Sequence, residues 1–257
     1  VVINMDDARG HEIHEISKLR GQDIITVGQH NCDLTLKKCN FDATGQQILF
    51  SWHDEIKSIR LDLIGYFQAM NILQAAALVI ACGEQPNNVF DTLSELKTVS
   101  GRMQLAAKRA NGASIFVDYA HTPDAVETAL KAMRPHVMGR LLIIVGAGGD
   151  RDVSKRELIG RAAEKYADVV FVTDDNPRSE DPELIRKAIM HGCPNATEIG
   201  DRATAILTGV DALNPGDALL IAGKGHETGQ IIGDDILAFN DVEQASISVS
   251  TLDELLP

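Results

Sequence analysis

Four short apolar runs, each ending in a polar loop, constrain this chain more than any other feature of it. Ser114–Val117, Leu141–Val145, Asp168–Val172 and Ala218–Ala222 are strand-length and read without alternation. That is the mark of strands buried on both faces. Between them lie segments of helical spacing, including Pro123 to about Arg134 and Ser154 to Tyr166. The alternation predicts a doubly wound α/β domain with a mainly parallel sheet. In such a sheet the loops after the strands leave from one carboxyl edge, where ligands bind. The loops are Asp118–Asp124 (DYAHTPD), Gly146–Asp152 (GAGGDRD), Thr173–Arg178 (TDDNPR) and Gly223–Glu227 (GKGHE).

Their chemistry is that of a receptor for a charged small molecule. Arg151 and Arg178 offer planar forks suited to a carboxylate, while Asp175 and Glu227 suit an ammonium group. Lys224 and His226 are further candidates for contact. After the third loop, Asp181 is a good helix N-cap and Pro182 a good first helical residue, with Leu184, Ile185, Ala188 and Ile189 at helical spacing. A solvated loop with a turn at Asn176-Pro177 is the bland alternative. Gly146-Ala147-Gly148 opens like the dinucleotide fingerprint GxGxxG, but Arg151 stands at the third glycine position. A nicotinamide-dependent oxidoreductase, with Asp174 as its ribose acid, stays open as a rival. Neither a GxxxxGK[ST] phosphate loop nor a GxSxG nucleophile elbow occurs in the chain.

The earlier part reads differently. Val1–Ile3 and Ile24–Val27 are strand-like, and His11–Leu19 is a plausible helix. His11 and His14 are spaced i,i+3, which is not the zinc motif HExxH. Asp33–Leu63 alternates as antiparallel strands do. Gly65 opens a helix over Phe67–Ala81, and Asn88–Lys97 predicts another. The character changes near Arg102, which predicts two domains, 1–102 and 103–257. Asn111-Gly112 predicts a hairpin between Gln104–Lys108 and Ser114–Val117, and Ile231–Leu237 a closing one. With 24 Lys+Arg against 37 Asp+Glu, the net charge is -13, which argues against nucleic-acid binding. The four cysteines show no CxxC pair and read as free thiols of a cytosolic protein. No apolar run is long enough for a membrane span. The chain opens on Val1 within a strand, so it is expected to be cut from something longer.

Taken together, the four loops, with Gly65–Asn71 and Gly101–Met103 (GRM), resemble the Mur ligases of bacterial cell-wall synthesis. The resemblance runs through nearly the whole chain in the family's order. It implies a C-terminal Rossmann-like, mainly parallel sheet domain preceded by the C-terminal remnant of a central α/β ATPase domain. The family's phosphate loop and carbamylated lysine would belong upstream of Val1, so this chain is expected to be inactive by itself. DNPR with GKGHE implies the step that adds meso-diaminopimelate to UDP-MurNAc-L-Ala-D-Glu, an amide ligation using ATP and Mg²⁺. Arg151, Asp175, Asn176, Arg178, Gly223 and Glu227 would then hold diaminopimelate, with Arg178 on the carboxylate of its distal end. Asn71 and His121 would contact the ATP base, Asp118 the ribose and Arg102 a phosphate. No catalytic or metal-ligating residue is assigned, and Gln68 and Val242 depart from the family pattern and receive no role. A monomer is implied, with no nucleic acid or membrane as partner. A non-catalytic amino-acid-binding module is the alternative reading of the chain.

Overall fold

The structure, a computed structural model, describes residues 1–254. The chain divides into two units, Val1–Lys97 and Thr98–Pro257. Among the described residues no helix is long and apolar enough to cross a membrane.

The first unit builds one five-stranded sheet in chain order: β1 (Val2–Asn4), β2 (Ile25–Gly28), β3 (Leu34–Asp42), β4 (Gly45–Trp52) and β5 (Glu55–Leu61). Helix α1 (Gly10–Leu19) joins β1 to β2, and the pairing is parallel as far as β3. It turns antiparallel through β4 and β5, as the alternation over Asp33–Leu63 requires. Helix α2 (Tyr66–Ala81) starts after Gly65 and buries Ala69, Met70, Leu73, Ala76 and Ala77, a spacing that keeps one face on the sheet. Phe50, Leu34, Ile48 and Leu73 form the centre of this core, and Phe90 meets Phe50 edge-on at 5.2 Å. The helix expected over Asn88–Lys97 is shorter and earlier. It is α3 (Pro86–Thr92), with a 3-10 turn over Leu93–Glu95. Pro86 fits the first turn, where no N–H partner is needed. Leu96 follows at helical spacing but is exposed and already extended, at φ -66 and ψ 133, and Thr98 and Val99 favour extended chain.

The second unit opens on β6 (Gln104–Lys108), which turns back onto β7 (Ser114–Asp118) as the predicted hairpin. Helices then alternate with strands: α4 (Pro123–Met133), β8 (Leu141–Val145), α5 (Ser154–Tyr166), β9 (Val169–Val172), α6 (Pro182–Met190), β10 (Thr197–Glu198), α7 (Arg202–Asp211) and β11 (Ala218–Ala222). The sheet order is β10-β9-β8-β11-β7-β6, with every pair parallel except β7 with β6. Ile115, Val117, Leu142, Ile144, Leu219 and Ile221 point to one face and pack with Ala205, Ile206 and Val210 of α7. Intervening residues such as Phe116, Ile143 and Leu220 are equally buried on the other face. Burial on both faces is why these strands carry no polar alternation. The chain closes with a hairpin of β12 (Gly229–Ile232) and β13 (Asp235–Ala238), then α8 (Asp241–Glu254). The sequence reading did not foresee α8 or the two-residue β10. Helix α8 is rich in Ser and Thr and buries little beyond Asp241, Ala245 and Ser248, so its periodicity is weak.

Candidate functional site

The four loops do leave one edge of the sheet, because β7, β8, β9 and β11 run parallel. All four contribute residues to the lining of a cleft of about 380 Å³. Arg151, Asp175, Asn176, Arg178, Gly223, Glu227 and His121 all border it. These residues come from separate stretches of sequence, and the sheet is what gathers them.

Each loop is fixed by local bonds before any ligand enters. Helix α6 is capped by Asp181, whose side chain accepts from Glu183 N, with Pro182 behind it as predicted. Gly149 N donates to Asn176 O at 2.9 Å, and Ser179 Oγ donates to Asp150 Oδ1 at 2.6 Å. Arg178 sits at φ 52, a left-handed conformation uncommon for a side chain of its size. Its backbone is held there by the closing hairpin: Arg178 N donates to Ile231 O at 3.1 Å and Gly233 N to Arg178 O at 2.8 Å. The guanidinium donates through Nη1 to Gly149 O at 2.8 Å, which leaves Nε and Nη2 for a ligand. Arg151 makes no hydrogen bond or ion pair with any described residue and is exposed at the cleft.

Lys224 turns out to be a strut, and Asn176 braces it while bordering the cleft with one amide N–H unspent. The Asn176 amide oxygen accepts from Lys224 Nζ at 3.0 Å and Ile231 N at 2.9 Å, while its Nδ2 donates to Glu227 Oε2 at 2.9 Å. Lys224 is fully buried and spends its three N–H bonds on Asn176 Oδ1, Glu227 Oε2 and Gly229 O. It therefore has no donor left for a ligand. His226 is exposed, its ring 5.4 Å from that of Tyr119.

The two acids differ in environment. Asp175 is buried, and no described residue donates a hydrogen bond to its carboxylate. Burial pushes its carboxyl up, against the pull of Arg202 and Lys224. Burial acts on Glu227 in the same direction, but bonds from Asn176 and Lys224 outweigh it and hold that carboxyl below the usual range. The unpartnered carboxylate is the one with most to gain from a cation. Gly223 stands at φ 115, and a Cβ there would lie 2.6 Å from Asp175 Oδ2. Only glycine lets the β11 loop come this close.

The candidates for nucleotide contact are more scattered. Asp118 ends β7, buried, and accepts from Met103 N at 2.7 Å and Ala120 N at 2.8 Å. Burial raises its carboxyl against those two bonds. Arg102 lies over the Tyr119 ring at 5.0 Å, and His121 packs edge-on to the same ring at 4.6 Å. Asn71 stands exposed on α2 in the first unit, where its amide donates to Gln68 Oε1 at 3.4 Å. Asp174, the ribose acid of the oxidoreductase rival, is instead paired with Arg186.

The family is decided by comparison with known domains. A model of the Mur ligase middle domain matches residues 1–79, and one described as Mur ligase, glutamate ligase domain, matches residues 101–225. The chain belongs to the Mur ligase family. One Mur ligase similar to it is the UDP-N-acetylmuramoyl-L-alanyl-D-glutamate--2,6-diaminopimelate ligase of Chelativorans sp. (strain BNC1). It is 45% identical over 243 residues, 95% of this chain and 50% of the relative. The enzyme of that name from Caulobacter vibrioides (strain ATCC 19089 / CIP 103742 / CB 15) is 41% identical over 252 residues, 98% of this chain and 52% of the relative. A solved structure of a ligase of the same name superposes with a TM-score of 0.76 at 31% identity, covering 98% of this chain and 53% of that one. The chain spans about half the length of the curated relatives it matches.

Two features of the cleft in this Mur ligase chain escaped the sequence reading. Arg156 is buried, donates to Glu180 Oε1 at 2.8 Å and borders the cleft. It shares the inner face of α5 with Ile159 and Ala163, so a charge at an apolar helical position was the available signal. Arg202 and Asp241 form a buried pair beneath the loops, and no local pattern connects them.

Proposed function

We propose that this chain is the amino-acid-selecting half of a ligase that adds meso-diaminopimelate to UDP-MurNAc-L-Ala-D-Glu in peptidoglycan synthesis, in the cytoplasm. The observation that carries this reading is one cleft holding an unpartnered buried carboxylate and two guanidiniums with free donors. Such a cleft suits a molecule bearing both ammonium and carboxylate groups. Arg178, with Nε and Nη2 free, would grip the distal carboxylate that lysine lacks. Arg151 would assist it, and Asp175 and Glu227 would take the distal ammonium over the bare backbone of Gly223. Lys224 would keep Glu227 in place, and Asn176 would do so with one amide N–H while offering the other to diaminopimelate. The benefit to catalysis is orientation of the attacking amine, which is worth several kcal/mol of barrier.

ATP fits what surrounds Tyr119 only in part. Asp118 retains acceptor capacity for a ribose, and Arg102 and His121 flank the ring. ATP would supply the phosphoryl group that activates the D-glutamyl carboxylate, with Mg²⁺ offsetting charge. Among the described residues no cluster of acids, histidines or cysteines could hold a metal ion, so no residue is assigned to Mg²⁺. None is assigned to the UDP end of the acceptor either.

Replacing Arg178 by alanine tests the reading. In a full-length ligase it is expected to weaken diaminopimelate binding by roughly 2–5 kcal/mol, as for loss of a buried hydrogen-bonded charge pair. Lysine binding should change far less, and equal losses in calorimetry with both amino acids would remove Arg178 from the distal carboxylate.

A further inference from the structure

The cleft floor rests on a fully buried ion pair whose partners lie far apart in sequence. Arg202 is the first residue of α7 and Asp241 the first of α8. Arg202 Nε meets Asp241 Oδ1 at 2.7 Å and Nη2 meets Oδ2 at 2.8 Å, a two-pronged pairing with both side chains fully buried. The same guanidinium donates to two main-chain carbonyls, Ala222 O at 3.0 Å and Asp174 O at 3.4 Å. Ala222 directly precedes Gly223, and Asp174 directly precedes Asp175. One side chain therefore holds the carbonyl just before Asp175 and the carbonyl just before Gly223, in the two loops that meet at the floor.

We propose that Arg202, braced by Asp241, is a positioning residue: it fixes the loops bearing Asp175 and Gly223–Glu227 and faces Asp175 with the positive charge that keeps it ready for an ammonium. The assignment rests on the amino-acid-binding reading of the cleft. A buried ion pair is poor evidence of stabilisation, since replacing both partners by apolar residues is often neutral. What an apolar pair could not supply is the two carbonyl bonds and the charge. The charged groups acting on Asp175 are Arg202 from α7, Lys224 and Glu227 from the β11 loop and Asp241 from α8. Arg202 leads those that favour its ionised form.

The test compares the 257-residue chain with its Arg202→Met/Asp241→Leu double variant. Three quantities are measured: thermal midpoint, the Asp175 carboxyl titration by carbon-detected NMR, and the Kd for meso-diaminopimelate at pH 7. A variant that melts near the parent temperature, titrates Asp175 higher because the lost pull of Arg202 outweighs the lost push of Asp241, and binds at least tenfold more weakly is the expected result. An unchanged Asp175 midpoint in a folded variant would overturn the assignment, because packing alone would then account for the pair. If the double variant does not fold, Arg202→Lys decides: it keeps the charge but not the two-pronged geometry. Binding weakened several-fold supports positioning, and parental binding refutes it. Failure of the parent chain itself to bind diaminopimelate would count against the substrate, while the Asp175 titration would still judge the pair.

Discussion

Asp175 shows at the scale of one residue how the candidate site departs from what folding prefers. Its carboxylate is buried, receives no hydrogen bond from a described residue, and has its titration pushed up by burial. A carboxyl with a folded value above its unfolded one binds more protons folded than unfolded between the two values, so its contribution to stability declines as pH rises through that window. Asp175→Asn is therefore expected to raise the melting temperature at pH 7 and to abolish diaminopimelate binding. The gain should shrink as pH falls toward the unfolded value of about 4, where the parent carboxyl is also neutral. Calorimetric melts at the two pH values check this, and a variant less stable than the parent at pH 7 would contradict it. That these charged residues gather at the strand ends lining the cleft was legible in the sequence, since Arg, Asp and Glu there advertise charge. Which polar residues face inward was not. Lys224 reads like a ligand group, yet its donors are spent on Asn176, Glu227 and the chain, whereas Asn176 bonds Glu227 through one amide N–H and borders the cleft with the other to spare. Only tertiary placement tells a strut from a contact.

At the scale of elements, the strands and helices of the second unit were legible because their signals are local. Continuous apolar runs mark β7, β8, β9 and β11, and Asp and Pro mark the helix starts. Asp201 caps α7 by accepting from Thr204 N at 2.7 Å. Asp201→Ala should cost about 1 kcal/mol of stability, the usual worth of such a cap, read as a shift in urea midpoint at constant slope. A loss near zero would mean that packing of α7 alone sets its start. Helix α8 lacked such signals, since it leans on the rest of the unit through Ala245 and Asp241 and carries little periodicity of its own. The helix at Pro86–Thr92 was placed too late for a related reason: the proline that starts it was passed over for the apolar residues inside it.

Across the whole molecule, each unit has its own sheet and its own buried core. The segment 98–257 is accordingly expected to fold by itself and melt in one cooperative step; a gradual, non-cooperative melt would contradict that. No phosphate release is expected from residues 1–257 alone, because no GxxxxGK[ST] loop is present to cradle a transferring phosphoryl. A phosphate-release assay on material of verified mass checks this, and substrate-dependent turnover would refute it. The place of β11 in the sheet adds a consequence about time. It pairs with β7 on one side and β8 on the other, so those two strands have no shared ladder until residues 218–222 arrive between them. During synthesis Arg151, Arg156 and Arg178 leave the ribosome well before that strand does. A nascent chain that has reached Asp217 thus carries every arginine of the cleft and still has no floor to set them on.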